Sequence, residues 1–249
     1  MQGQPQLRGV RWTRGDYSKV GAVERGARDY TRSQGLAYRP AANYQGVRAD
    51  PNNIAAIGLS VRSQQGVPTH VSPQMHASYR ALSEGIESQY THMTTPREQG
   101  GMGISVEVSR EDPYASMTEA RHDVVKNSRM KVLATETTAS GHQGHHPMLT
   151  PEVNDKFRAI HDVFGHLAIG RNTDRHGEEA AVQHHAQMFH PDAHPALFSE
   201  LRGQNSALIY NQEFPEDKPY NLPQWASTPS GKQPAPPKRK PEGEQGRLF

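Results

Sequence analysis

Residues 161–185 read HDVFGHLAIGRNTDRHGEEAAVQHH, a stretch in which imidazoles and carboxylates are threaded through aliphatic and aromatic side chains. Val153, Phe157, Ile160, Phe164 and Leu167 recur at helical spacing, so its first part continues a helix that begins at Thr150-Pro151-Glu152. There a capping hydroxyl precedes a proline. A second helix is expected from about Gly177 to Phe189, with Glu178, Ala181, His185 and Met188 along one seam. Two adjoining helices, each bearing polar groups beside an apolar stripe, imply a mainly helical body.

The spacing carries chemistry as well. His161 and His166 are five apart, which on an ideal helix sets them about 140° from each other, because each residue turns about 100°. One ion can take both only if the helix ends or bends between them, and Gly165 lies in the gap. Asp162 and His166 share a face. Small Ala181 leaves room for another helix to approach. The expectation is a metal ion held by His161, His166 and one of Glu178 and Glu179, with His185 or Asp162 behind the ligands or moving protons. The plainer alternative is solvated histidines, with a glutamate pair complementing a helix N-terminus. Against it, both histidines flank the apolar stripe, where polar groups need partners.

The chain has no cysteine, so any metal must be held by His, Asp or Glu. Iron(II) is the first choice for two imidazoles and one carboxylate with open positions, and manganese and zinc are alternatives. The 249 residues include 22 Gly and 19 Pro, which points to long irregular stretches. No apolar run reaches the length of a membrane span, and the N-terminal residues lack the apolar stretch of a signal peptide. A cytoplasmic protein is expected. Residues 1–48 hold nine Lys/Arg against three acids and residues 228–249 hold five against two, around an acidic centre. Basic ends of this kind favour a polyanion such as DNA or nucleotides.

The expected fold class is α+β, mainly α-helical with a small two-stranded sheet, and three regions are expected. Residues 1–70 form a basic irregular N-terminal arm with a short helix near Tyr17–Ser33. Residues 71–225 form the helical body, opening at Ser72-Pro73 with a stripe of Met75, Tyr79, Leu82 and Ile86. Strands are expected at Ile104–Ser109 and Met130–Ala134, as a hairpin or two edges, and a third helix of the body near 195–210. The glycine-rich loop at 140–149 adds His142, His145 and His146 as weak chelators. Residues 226–249 form a disordered Pro/Lys-rich tail.

The blocks VEVSREDPY (106–114), MKVLATETT (130–138), HPMLT (146–150), FRAIHDVFGH (157–166), RHGEEAAVQHHAQMF (175–189) and ELRGQNSALIY (200–210) resemble a family of bacteriophage-encoded proteins, sometimes joined to head-morphogenesis modules. Val182 stands where such proteins usually have Trp. The resemblance implies a phage origin, expression in the infected bacterial host, and a shared polar site. That site falls on His161, Asp162, His166, Glu178, Glu179, His185, Glu200, Arg202, Gln204 and Asn205. In it Arg202 would serve as a fork for phosphate or carboxylate, and Gln204 and Asn205 as amide partners. The H-x4-H pair with Gly before the second His resembles, at the level of the site alone, the iron-binding helix of pterin-dependent aromatic amino acid hydroxylases. The last five residues, Gln245 to Phe249, resemble the peptide that docks bacterial polymerases on the replication sliding clamp. There Leu248 and Phe249 would fill a pocket and Gln245 bond at its rim. The reading is a phage iron-dependent hydroxylase or oxygenase acting on nucleotides or DNA at the clamp. The alternative is a non-enzymatic virion- or DNA-associated protein with a structural His/Glu cluster.

Overall fold

The computed structural model describes residues 14–137 and 146–233. In chain order they form α1 (Arg14–Ser33), α2 (Pro51–Arg62), α3 (Pro73–Thr94), β1 (Ser105–Ser109), α4 (Met117–Asn127), β2 (Arg129–Leu133), α5 (Pro151–Ile160), α6 (Arg175–Ala186), α7 (His194–Phe198) and α8 (Gln204–Asn211). The protein is mainly helical with one small sheet, as its periodicities require. Helix α5 runs on into a wider π-helical segment, His161–Leu167, and α7 passes through a second one, Ser199–Gly203, into α8.

Helix α3 is the spine. Ser72 Oγ accepts the Met75 N–H at 3.1 Å, closing the first turn. Met75, Tyr79, Leu82, Ile86 and Met93 then form a buried stripe in the main core. Helices α5 and α7 pack on that spine, and the continuation of α5 packs on α6. Phe157, Ile160, Phe164 and Leu167 are buried there as their spacing predicts. No helix among the described residues is long and apolar enough to cross a membrane.

The pairing of the strands differs from a hairpin. β1 and β2 are parallel, with Val106 opposite Met130, and α4 makes the crossover between them. A parallel pair cannot be joined by a tight turn, so the helix between the strands is what makes this pairing available.

Both ends of the described chain are more structured than a basic arm and a free tail. Val23, Ala27 and Tyr30 of α1 enter the main core. Asp50 caps α2 by accepting the Asn52 N–H at 2.9 Å, and Ile57 and Val61 pack with Ala207, Tyr220 and Ala226. The stripes of α1 and α2 are only two or three residues long, too short to stand out among Arg, Gly and Pro. The tail's first residues also pack: Gly231 lies so close to Arg202 that a Cβ there would come within 2.7 Å of the guanidinium carbon. His142, His145, Gln245, Leu248 and Phe249 lie outside the described residues, so the loop and clamp-peptide expectations fall there.

Asp123 ties the β1–α4–β2 unit together. Its carboxylate accepts from Tyr114 Oη at 2.8 Å and from Arg129 Nε at 3.1 Å, and Tyr114 Oη in turn accepts the Lys131 N–H at 3.0 Å. Burial opposes ionisation of Asp123, but hydrogen bonds from Asn127, Arg129 and Tyr114 outweigh it and lower the pKa. A depressed carboxyl stabilises the fold fully above the ordinary aspartate pKa of about 4 and ceases to do so as pH falls through its folded value. Asp123→Ala should lower the unfolding free energy by about 1–3 kcal/mol at neutral pH. Asp123→Asn should flatten the acid limb of denaturant-measured stability against pH. An unchanged acid limb would contradict this role.

Candidate metal centre

A π-helical turn resolves the five-residue spacing of the two histidines. Its hydrogen bonds run from i to i+5, so residues five apart stack one above the other instead of diverging. The Ala168 N–H donates to the Val163 carbonyl at 2.9 Å in this pattern. The helix therefore neither ends nor breaks at Gly165. That glycine matters for room: a Cβ would sit 3.0 Å from the His161 ring and 3.3 Å from Ala181 Cβ, on α6. Two small residues let α6 approach, and its Glu178 meets both imidazoles. Glu178 Oε1 is 3.4 Å from His166 Nε2, and Glu178 Oε2 is 4.0 Å from His161 Nε2. The three ligand atoms lie within 4.8 Å of one another, close enough for one ion.

A hydrogen-bond chain fixes which nitrogen of His161 is bare. Gln89 Nε2 donates to the Met188 carbonyl at 3.2 Å, which leaves Gln89 Oε1 to accept from His185 Nε2–H at 2.8 Å. Burial first, then the charges of His161, His184 and His166, hold His185 well below the ordinary histidine pKa, so it is neutral and its Nδ1 is an acceptor. His161 therefore donates Nδ1–H to His185 Nδ1, 3.2 Å away. What remains is the His161 Nε2 lone pair, buried and without a hydrogen-bond partner, aimed at Glu178. Such an orphan is costly unless something fills the position. His166 follows the same logic, with Nδ1 donating to the Arg171 carbonyl at 3.3 Å and Nε2 facing Glu178. An imidazole oriented by an N–H bond from its far nitrogen is the usual support of a metal ligand.

The electrostatics fit a cation. Burial opposes charge on Glu178, yet the His166 charge first, and then the close approach of both imidazoles, hold its carboxyl far below the usual range. Burial likewise opposes charging His166, but Glu178 and Asp162 outweigh it and raise its pKa. A cation bound between these groups would take the place of a proton there, and its binding would release that proton.

Other residues of the expected site divide. Glu179 is not a ligand: Arg202 grips its carboxylate with two bonds, 3.1 and 2.8 Å long. Arg202 is thus a carboxylate fork, but for the chain's own Glu179 and not for a bound anion. Its other donors go to the carbonyls of Ala226 at 2.5 Å, Thr228 at 2.7 Å and Pro229 at 3.1 Å, so all five N–H groups are engaged. His185 is fully buried and bonded to His161, which suits it to positioning that ring rather than to carrying a proton to a substrate. Asp162 faces a cleft of about 290 Å³ that is also lined by His161, Arg158, Gln204, Glu200 and Asp217. Burial pushes the Asp162 carboxyl up. Asn205 is not among the residues of that cleft.

Across the cleft lies a second polar cluster. Glu200 accepts from Tyr79 Oη, from His146 Nε2 at 3.2 Å and from Gln204 Nε2 at 2.8 Å. Burial, then the charge of Glu200, raises the pKa of Asp217 beside it. His146, Glu200 and Asp217 have metal-compatible spacing. However, His146 Nδ1 accepts the Met148 and Leu149 N–H groups at 3.0 Å each, so its proton sits on Nε2, facing Glu200. That nitrogen is a donor and not a free ligand. The cluster holds protons; the trio holds a bare lone pair.

Comparison with family models, with curated proteins and with solved structures gave no match. The functional reading therefore stands on geometry. Sequence reasoning overlooked Gln89, whose signal was present: it follows Leu82 and Ile86 at stripe spacing, a polar residue in an apolar row, and is fully buried. Replacing Gln89 by Leu should free the His185 and His161 rings and weaken Mn(II) or Zn(II) binding about 10–100-fold, as losses behind metal ligands do. Competition with a chromophoric chelator measures it; unaltered affinity in a folded variant would show that the chain does not orient His161.

Proposed function

We propose that this chain is a metal-dependent enzyme whose ion is held by His161 Nε2, His166 Nε2 and Glu178. The observation that carries the reading is the His161 Nε2 lone pair, buried, unpartnered and directed at a carboxylate already facing a second imidazole. Three protein ligands leave positions open, whereas a structural ion is normally enclosed by four. His161 also lines the cleft, with His166 and Glu178 behind it, so a small molecule in the cleft would stand one side chain away from the proposed ion. This favours catalysis over a purely structural His/Glu cluster in a virion- or DNA-associated protein.

Two imidazoles and one carboxylate, with no thiolate, suit iron(II) best, with manganese and zinc as competitors. Iron(II) would supply oxygen-dependent redox chemistry there, and the reaction class we propose is hydroxylation of a nucleotide or DNA base, in which one atom of O2 enters a C–H bond and the other leaves as water, with a small-molecule two-electron reductant supplying the electrons. The chain's own part is to orient and to exclude water. The Gln89–His185 chain holds His161, the second cluster keeps Glu200 in place through Tyr79, His146 and Gln204, and Asp162 and Asp217 offer protonatable carboxyls on the cleft walls. The phage origin and the sliding-clamp partner belong to the same proposal, the latter through Gln245, Leu248 and Phe249.

Anaerobic purification followed by elemental analysis tests the reading. Near-stoichiometric iron, manganese or zinc is expected. It should be lost in His161→Ala, His166→Ala and Glu178→Ala, retained in Glu179→Gln, with circular dichroism preserved throughout. Metal retained in the Glu178 variant, or lost only with helix content, would overturn it. Iron-loaded protein in air, supplied with ascorbate as the two-electron reductant, should add one oxygen atom to an oligonucleotide or nucleoside in mass spectra. A metal-bound protein that never does so would refute the hydroxylase part.

A further inference from the structure

Helix α6 presents Glu178 and His185 to the metal centre but Glu179 and Gln183 to a larger cavity of about 830 Å³. One wall comes from residues 39–57 and the other from residues 229–233, with the Glu179–Arg202 pair in its floor. Arg39, Arg48 and Lys232 line it. Of its two carboxylates, Glu179 is neutralised by Arg202, while Asp50 caps α2 through one oxygen and keeps its charge. Among the described residues, the side chains of Arg39 and Lys232 have no partner, and Arg48 uses only Nη1, on the Gln45 and Val47 carbonyls. The amides of Asn43, Asn52 and Gln233 also line the cavity with no side-chain partner among the described residues. The groove thus combines three available cations and three available amides with one carboxylate, Asp50, that no cation among the described residues pairs.

We infer that this groove binds single-stranded nucleic acid. Cations contributed from both walls match several phosphates along a strand better than one isolated phosphate. Free amides suit the edges of unpaired bases and sugars. A duplex is read by an element that protrudes into its groove, and this surface is concave. The chain that leaves the rim at Gln233 continues to Lys238, Arg239 and Lys240, and residues 1–48 hold nine Lys/Arg against three acids. The inference does not depend on the metal centre.

Fluorescence anisotropy of a labelled oligo-dT strand with the full-length protein, across a salt series, is the test. Arg39→Ala/Arg48→Ala/Lys232→Ala should weaken binding at least tenfold and make the slope of log K against log salt shallower by about 2, three contacts at about 0.7 each. His166→Ala, which strips the metal site, should bind the strand as the parent does, so that failure of the metal reading and failure of this one are told apart. No binding by the parent, an unchanged slope in the triple variant, or equal affinity for the matching duplex or for dTMP would each overturn the inference.

Discussion

The widened turn at His161–Leu167 is the constraint on which the rest depends. In an α-helix His161 would point away from His166, and Glu178 could satisfy only one of them. An i-to-i+5 turn brings the rings together, and Gly165 and Ala181 leave the gap that lets α6 deliver its carboxylate. Segments of this kind are uncommon and concentrate at functional sites, because they trade regular backbone geometry for side-chain placement. Here the placement produces a buried, oriented lone pair in a mostly apolar layer, which is unfavourable for a core and well suited to a cation.

The same device occurs twice. Ser199–Gly203 is the second widened segment, and it turns Glu200 toward the cleft and Arg202 toward the groove. Glu178 and Glu179 divide in the same way on α6. Two neighbouring helical segments thus each serve two surfaces, and the buried Glu179–Arg202 pair joins them between those surfaces. Arg202 also stacks over the Phe198 ring at 4.5 Å and binds three carbonyls of residues 226–229, so the pair anchors the chain's exit from the body. Arg202 is buried and Glu179 half-buried, so removing either partner would leave an uncompensated charge in a largely dry place.

Much of this was legible in the sequence. The helices α3, α5 and α6 announce themselves by Ser72-Pro73, Thr150-Pro151 and the stripes that follow, because capping and periodicity are local properties. His161, His166 and Glu178 were recoverable from residue type and proximity to those stripes. The choice between Glu178 and Glu179 was not, since adjacent residues on a helix point about 100° apart and only the neighbouring element decides which faces inward. Arg202 illustrates a different limit: its fork does take a carboxylate, as its chemistry suggests, but that of the chain's own Glu179, and carbonyls delivered by residues twenty-four to twenty-seven positions later fill its remaining donors. Parallel pairing of β1 and β2 was likewise hidden, because strand direction is set by the crossover and not by the strands' own alternation.

The position of one ion is decisive, and anomalous diffraction locates it. Crystals equilibrated with Mn(II), with data collected to favour the manganese signal, should show one dominant anomalous peak about 2.0–2.3 Å from His161 Nε2, His166 Nε2 and a Glu178 oxygen. Both imidazoles should still donate Nδ1–H to His185 and to the Arg171 carbonyl. A peak at the His146–Glu200–Asp217 cluster instead, or rings turned so that His161 Nε2 no longer faces Glu178, would contradict the account.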